Sequence, residues 1–146
     1  MDAAKIIACT RSSDASPDQW VGLNKVPDDI LPVYAIPTTS GTGSEATMGA
    51  VIKDPVERVK MIIAADGLLP QAVALDPELL LGMPPAVTAA TGIDALTHGI
   101  EAYICVWDRG TRKENARLAV QGVFQWLPKA MAEPDNREAR LGMALA

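Results

Sequence analysis

A short loop near the middle of the sequence carries side chains that could bind a phosphate. The eight residues 38–45 read Thr-Thr-Ser-Gly-Thr-Gly-Ser-Glu and combine hydroxyl side chains with two glycines. Glycine lets backbone amides approach phosphate oxygens, and hydroxyls add hydrogen bonds without adding charge. This hydroxyl-rich loop matches neither the glycine pattern of Rossmann folds nor a P-loop. Taken alone, it is compatible with a phosphate cradle and equally with a tight polar turn.

A second segment places a carboxylate and an imidazole one helical turn apart. Asp94 and His98 have the i, i+4 spacing that puts two side chains on one face of a helix. At that spacing they can supply two of the four ligands of a divalent cation. His98 is the only histidine, and Glu101 falls on the same side one turn later. Without further context, a helix-stabilising Asp–His pair is the more common interpretation of this spacing.

The elements that must position these residues change in character along the chain. Prolines, β-branched residues and turn signals predict four short strands, within residues 32–37, 48–52, 60–64 and 71–75. Residues 12–32 are rich in Asp, Ser and Pro and predict a loop with little regular structure. Helical spacing predicts helices over residues 1–10, 86–105, 112–131 and 136–146, the second with a potential break at Gly92 and the last capped by Asp135 or Asn136. We therefore expect an α/β part over residues 1–83 and an all-helical part over residues 84–146.

Composition excludes several classes of protein. The 146 residues are 49% hydrophobic and 21% charged, which is typical of a folded domain and not of a disordered chain. The net charge of -5 argues against nucleic acid or an anionic membrane as the main partner. Two cysteines are too few for a disulfide scaffold, and no apolar run approaches the roughly 18 residues of a membrane span. These features favour a cytoplasmic protein.

Both ends of the sequence have helical patterns. Residues 1–10 begin directly in a helix, and residues 136–146 form a helical pattern with no stop signal. Natural domains more often lead into such a helix through a strand or a loop. We therefore expect this sequence to be the central piece of a longer enzyme, truncated at both ends.

Three segments in the same order resemble the iron-containing (group III) alcohol dehydrogenase family. Residues 35–45 (AIPTTSGTGSE) are similar to its nucleotide-contacting loop. Residues 73–79 (VALDPEL) with 83–85 (MPP) are similar to its domain junction, and residues 88–103 (TAATGIDALTHGIEAY) to its metal-binding helix. The resemblance implies a dehydroquinate-synthase-like fold, in which an incomplete nucleotide-binding α/β domain precedes a helical domain.

The resemblance also implies site residues. Asp94 and His98 correspond to the first two metal ligands and act in catalysis through the metal. Asp2 and Lys5 match the end of the family's Gly-Gly-Gly-Ser-x-x-Asp-x-x-Lys segment, whose glycines would lie upstream. The positions expected to contact the cofactor, NAD or NADP, are Asp2, Thr38, Thr39, Gly41, Thr42 and Lys60. The implied metal is Fe²⁺, with Zn²⁺ as the alternative, and two histidine ligands of the family would lie downstream.

The implied activity is reversible hydride transfer between an alcohol and its aldehyde or ketone. The complete enzyme is expected to be a homo-oligomer that acts on a small molecule, without nucleic-acid or membrane partners. The 146 residues alone are expected to be inactive. The alternatives are a noncatalytic nucleotide-binding remnant, or a polyol or glycerol dehydrogenase or a maleylacetate reductase on the same fold.

Overall fold

The computed structural model describes residues 1–11, 13–107 and 109–146 and divides them into two compact units. The first unit contains residues 1–36 and 44–74, and the second contains residues 37–43 and 75–146. The hydroxyl-rich loop therefore contributes its first six residues to the second unit and its last two to the first. The expected division at residue 83 concerns domains of the family and stays a prediction.

In its described residues, the first unit combines one α-helix with two small sheets. Strands β3 and β4 pair antiparallel with Gly49 opposite Ala64, and β1 pairs in parallel with the other edge of β4. Strands β2 and β5 form a separate parallel pair. The elements are α1 (Asp2–Cys9), β1 (Gly22–Leu23), β2 (Tyr34–Ala35), β3 (Gly49–Lys53), β4 (Lys60–Ala64) and β5 (Ala72–Val73).

A single apolar cluster holds the first unit together. Helix α1 contributes Ile6 and Cys9, and the β3–β4 pair contributes Ala50 and Ile63. Trp20 fills the same cluster and is only 3% exposed. The cluster is completed by Ala65 and Leu68. Because α1 and the sheet share this core, the apolar face of the helix accounts for its docking.

The predicted strands all occur, but two are shorter than expected. Strand β4 has the predicted bounds, whereas β2 and β5 extend over two residues each. Pro32, Pro37 and Pro70 flank these two strands, and proline cannot donate to a ladder. Strand β1 lies inside the segment predicted as loop, because the Gly22–Leu23 pair has no strand signature in the sequence.

The second unit is helical beyond residue 84. It contains α2 (Pro85–Ile104), α3 (Thr111–Ala132) and α4 (Arg137–Leu145). Helix α2 runs without interruption through Gly92, so the break considered there does not occur. A Cβ atom at Gly92 would lie 2.5 Å from Leu127, and one at Gly99 would lie 3.0 Å from Val120. The two glycines, seven residues apart, therefore let α3 pack closely and antiparallel against α2.

Helix α4 closes the core of the second unit. Asn136 caps this helix, since its side-chain oxygen accepts a hydrogen bond of 2.9 Å from the Ala139 amide. This confirms one of the two expected caps. The buried cluster joins all three helices through Ala95, Val123, Ala130, Ala139 and Met143. Ala116, Val123 and Ala130, spaced seven residues apart on α3, are buried and mark its packed face.

Helix length alone does not indicate membrane insertion here. Helices α2 and α3 have 20 and 22 residues. Within the described residues, no helix is both long and apolar enough to cross a membrane.

Arg140 is a buried cation that links α4 to the beginning of α2. Its side chain is 1% exposed. It donates to the hydroxyl of Thr88 at 2.8 Å and to the carbonyl oxygen of Pro134 at 2.9 Å. A longer contact of 3.5 Å reaches the carbonyl of Met83. Burial lowers the pKa of Arg140, and the charge of Asp135 acts in the opposite direction.

Removing this cation should destabilise the second unit. We expect Arg140→Met to lower the free energy of unfolding by about 2–4 kcal/mol, because buried acceptors lose hydrogen bonds from a charged donor. Arg117→Met is the matched control, since Arg117 pairs with Glu114 on the exposed surface of α3, where ion pairs contribute little. Urea unfolding followed by circular dichroism measures both variants. Equal losses for the two would contradict a structural role of Arg140.

Candidate functional site

The hydroxyl-rich loop lies against helix α2 within the second unit. A Cβ atom at Gly41 would lie 2.1 Å from the carbonyl oxygen of Thr91 and 2.7 Å from its Cβ. Gly41 also has a φ of +149°, which L residues with side chains rarely adopt. Both observations require glycine at this position. The loop backbone therefore rests directly on the backbone of α2.

The position of this contact brings the two candidate segments together. Thr91 precedes Asp94 by three residues, so the contact lies about one helical turn from the first candidate metal ligand. Thr38, Thr39 and Thr42 are exposed, whereas Ser40 is 4% exposed. The sequence predicts that Gly41 leaves room for a phosphate. In the structure, the space that a side chain at position 41 would need is filled by Thr91. A contact between the Gly41 backbone and the cofactor stays a prediction.

Asp94 and His98 form the predicted pair on α2. The Oδ1 atom of Asp94 lies 3.9 Å from Nε2 of His98, and the side chains are 44% and 56% exposed. Two ligands of one tetrahedral ion are separated by about 3.3 Å, so a small rotation about the side-chain torsions would bring both atoms into range. The exposed carboxylate and imidazole therefore fit a divalent cation as half of a site.

The described residues supply only these two donors at this place. Among residues 1–11, 13–107 and 109–146, no group of three or more His, Cys, Asp or Glu side chains is arranged to hold a metal ion. Structural and catalytic metal sites usually have three or four protein ligands. A tightly bound ion therefore requires further donors.

Asp2 begins helix α1 and has both carboxylate oxygens engaged within the first unit. Oδ1 accepts a hydrogen bond of 2.5 Å from the hydroxyl of Ser44, and Oδ2 accepts one of 2.9 Å from the Val51 amide. Burial raises the pKa of Asp2, but these hydrogen bonds and the charge of Lys5 outweigh it, so the pKa lies below its ordinary value of 3.8. The predicted cofactor residue thus also holds the end of the hydroxyl-rich loop.

Lys60 and Lys5 differ sharply in their surroundings. Lys60, predicted to approach the cofactor, is exposed at the first position of β4, opposite Lys53 of β3. It belongs to the first unit, whereas Thr38 and Thr42 belong to the second.

Lys5 is fully buried, which the motif match did not predict. Its spacing of four residues from the buried Cys9 on α1 is the signal that indicates this burial.

The chain matches sequence profiles of one enzyme family over most of its length. The profile described as iron-containing alcohol dehydrogenase matches residues 1–77, and that of the C-terminal part of the Fe-containing alcohol dehydrogenase family matches residues 88–146. The NAD-dependent methanol dehydrogenase of Bacillus methanolicus is 39% identical over 145 residues, which are 99% of this chain and 38% of that protein.

Solved structures show the same relationship. Sulfoacetaldehyde reductase from Bifidobacterium kashiwanohense, solved in complex with NAD+, superposes with a TM-score of 0.91 at 38% identity. A 1,3-propanediol oxidoreductase gives a TM-score of 0.92 at 35% identity. The alignments cover 98% and 99% of this chain and 38% of each of those chains.

The fold and both halves of the sequence therefore define the class of protein. The chain belongs to the iron-containing alcohol dehydrogenase family, and its fold is the one that this family shares. It spans about 38% of the length of the relatives described above. The expected α/β part followed by a helical part is confirmed.

The Gly41 contact predicts unequal effects of two glycine substitutions. Gly41→Ala should lower the free energy of unfolding by about 3 kcal/mol or more, because its Cβ would overlap the Thr91 carbonyl. Gly43→Ala is the matched control: Gly43 has a φ of +62°, but a methyl group added there would meet nothing within 4 Å, so only about 1 kcal/mol of backbone strain is expected. Thermal unfolding of both variants measures the difference. Comparable losses would show that the loop does not rest on α2.

The lowered pKa of Asp2 predicts a pH dependence of stability. A carboxylate with a lowered pKa stabilises the folded state fully above its unfolded value, and that contribution is lost as pH falls through the folded pKa. The free energy of unfolding should therefore fall more steeply from about pH 5 to about pH 2 in the native chain than in Asp2→Asn. Urea titrations at several pH values test this. Identical slopes for the two proteins would contradict the assignment.

Proposed function

We propose that this sequence forms the central part of an enzyme that transfers hydride reversibly between an alcohol and a nicotinamide cofactor. The observation that supports it best is the contact of Gly41 with Thr91, which joins the hydroxyl-rich loop to the helix of Asp94 and His98. The relatives named above include an NAD-dependent methanol dehydrogenase and a reductase in complex with NAD+. Because the chain covers about 38% of them, the activity is proposed for the complete enzyme.

In this function the exposed hydroxyls of the loop bind the cofactor. Thr38, Thr39 and Thr42 donate hydrogen bonds to its phosphates or its nicotinamide end, and Gly41 and Asp2 contribute at the same loop. Lys60 is assigned to the ribose of the cofactor. NAD is favoured by the relatives, and NADP is the alternative. The cofactor supplies the redox chemistry, while the protein supplies position and charge.

Asp94 and His98 hold a divalent metal in the complete enzyme. The bound metal supplies Lewis acidity to the substrate oxygen. Fe²⁺ is favoured by the family, and Zn²⁺ is compatible with the same donors. The half-exposed carboxylate and imidazole keep this position open to a small substrate.

The substrate is a small alcohol, aldehyde or ketone. A polyol or glycerol dehydrogenase or a maleylacetate reductase would use the same fold, and a noncatalytic nucleotide-binding remnant is the alternative from another class. We expect the complete enzyme to be cytoplasmic and to form a homo-oligomer. Turnover separates the enzymes from the remnant, since the remnant would bind a cofactor without oxidising or reducing it.

The metal assignment predicts different behaviour for the chain and the complete enzyme. The 146-residue chain should bind Fe²⁺ or Zn²⁺ weakly, lose it on desalting and show no alcohol-dependent reduction of NAD or NADP, because it offers two donors. In the complete enzyme, His98→Ala should remove the metal and lower turnover by at least about a hundredfold. Metal analysis and cofactor absorbance measure both effects.

A matched variant separates ligand loss from damage to the helix. Glu101 lies one turn beyond His98 on α2 and is exposed, so Glu101→Gln should leave metal content and turnover close to native values. A fully active His98→Ala enzyme would overturn the ligand assignment. Stoichiometric metal with clear turnover in the 146-residue chain would overturn the need for further donors.

A further inference from the structure

Lys5 is a buried ammonium whose closest partners are backbone carbonyls. Its side chain is 0% exposed. The Nζ atom donates to the carbonyl oxygens of Ser44 at 2.7 Å, Thr47 at 2.6 Å and Gly49 at 2.8 Å. Three short hydrogen bonds use all three ammonium protons. Lysine is almost never buried this completely unless its charge is satisfied, so the three carbonyls must be held in place around it.

The three carbonyls belong to an irregular stretch of backbone. Ser44 is the penultimate residue of the hydroxyl-rich loop, and the stretch ends where β3 begins at Gly49. Ser44–Ala46 forms a short 3-10 turn that pairs with no strand. Since the carbonyl and amide of a trans peptide point in opposite directions, anchoring the Ser44 carbonyl also fixes the direction of the Glu45 amide.

A second residue of helix α1 also binds this stretch of backbone. Asp2, three positions before Lys5, accepts hydrogen bonds from the Ser44 hydroxyl and the Val51 amide. Ile6 and Cys9 already dock α1 on the sheet through apolar contacts. A buried cation is therefore not needed to attach the helix, and burying one is costly relative to an apolar side chain. What Lys5 adds is a fixed geometry for the end of the loop.

We propose that Lys5 is a positioning residue for cofactor binding: it gathers the carbonyls of Ser44, Thr47 and Gly49 and thereby fixes the end of the hydroxyl-rich loop. This role rests on the proposed function of that loop. Lys5 acts through Ser44 and Glu45 and does not itself touch the cofactor. Its loss should therefore weaken cofactor binding and leave the hydride-transfer step nearly unchanged.

The test compares three variants of the complete enzyme. Lys5→Met, which keeps an unbranched side chain of similar length, should raise the KM for NAD about tenfold while kcat changes by less than about threefold. Lys25→Met is the matched control, because Lys25 is exposed in the same unit and should change neither constant. Thr42→Val removes a loop hydroxyl and tests the proposed function separately.

The outcomes separate the two ideas. An unchanged KM in Lys5→Met with a raised KM in Thr42→Val overturns the role of Lys5 and leaves the proposed function standing. Unchanged KM values in both variants overturn the proposed function as well. Where Lys5→Met does not fold, Lys5→Arg in the complete enzyme decides: it keeps the charge, but its planar guanidinium cannot donate to all three carbonyls in the same geometry, so the KM for NAD should rise, and a native KM overturns the role.

Discussion

A Cβ atom at position 41 would lie only 2.1 Å from the carbonyl oxygen of Thr91, so this position accepts glycine alone. Because backbone meets backbone there, neither a rotamer change nor a small shift of a side chain can relieve the overlap. This constraint fixes the hydroxyl-rich loop on α2 and thereby decides which residues share the second unit. Residues 37–43 pack with the helices although they follow a strand of the first unit.

Two buried cations hold the irregular backbone that the apolar cores do not reach. Lys5 collects carbonyls at the end of the hydroxyl-rich loop and just after it. Arg140 donates to the Thr88 hydroxyl and the Met83 carbonyl at the start of α2. Their hydrogen bonds to the described residues go to carbonyl and hydroxyl oxygens. Removing either cation would leave buried oxygen acceptors without their donor, so each one fixes the backbone around it. Each joins segments that are distant in sequence, 39 to 57 residues apart.

The sequence predicts the elements of this fold well and its polar contacts poorly. The helical spacing of α3 and the capping side chain of Asn136 are local signals, and both the helix and the cap are observed. The two-residue strand at Gly22 exists only because β4 lies beside it. In the same way, the burial of Lys5 depends on carbonyls about forty residues away. Helical spacing indicates that Lys5 faces the core, but no local pattern identifies the carbonyls that bind its ammonium group. The i, i+4 spacing of Asp94 and His98 did predict their shared face, because a helix fixes that geometry locally.

Hydride transfer requires that the hydride donor and the substrate be held in a fixed relative position. A displacement of about 1 Å can cost a hundredfold in rate, so residues that bind the two reactants need a rigid common support. In the function proposed here, that support is α2, which carries Asp94 and His98 and receives the loop at Thr91. The glycine at position 41 removes the flexible side chain that would otherwise separate them. The contact therefore fixes, through packed backbone, the distance between the loop and the turn of α2 that precedes Asp94. A side chain at position 41 would have to push the loop away from that turn.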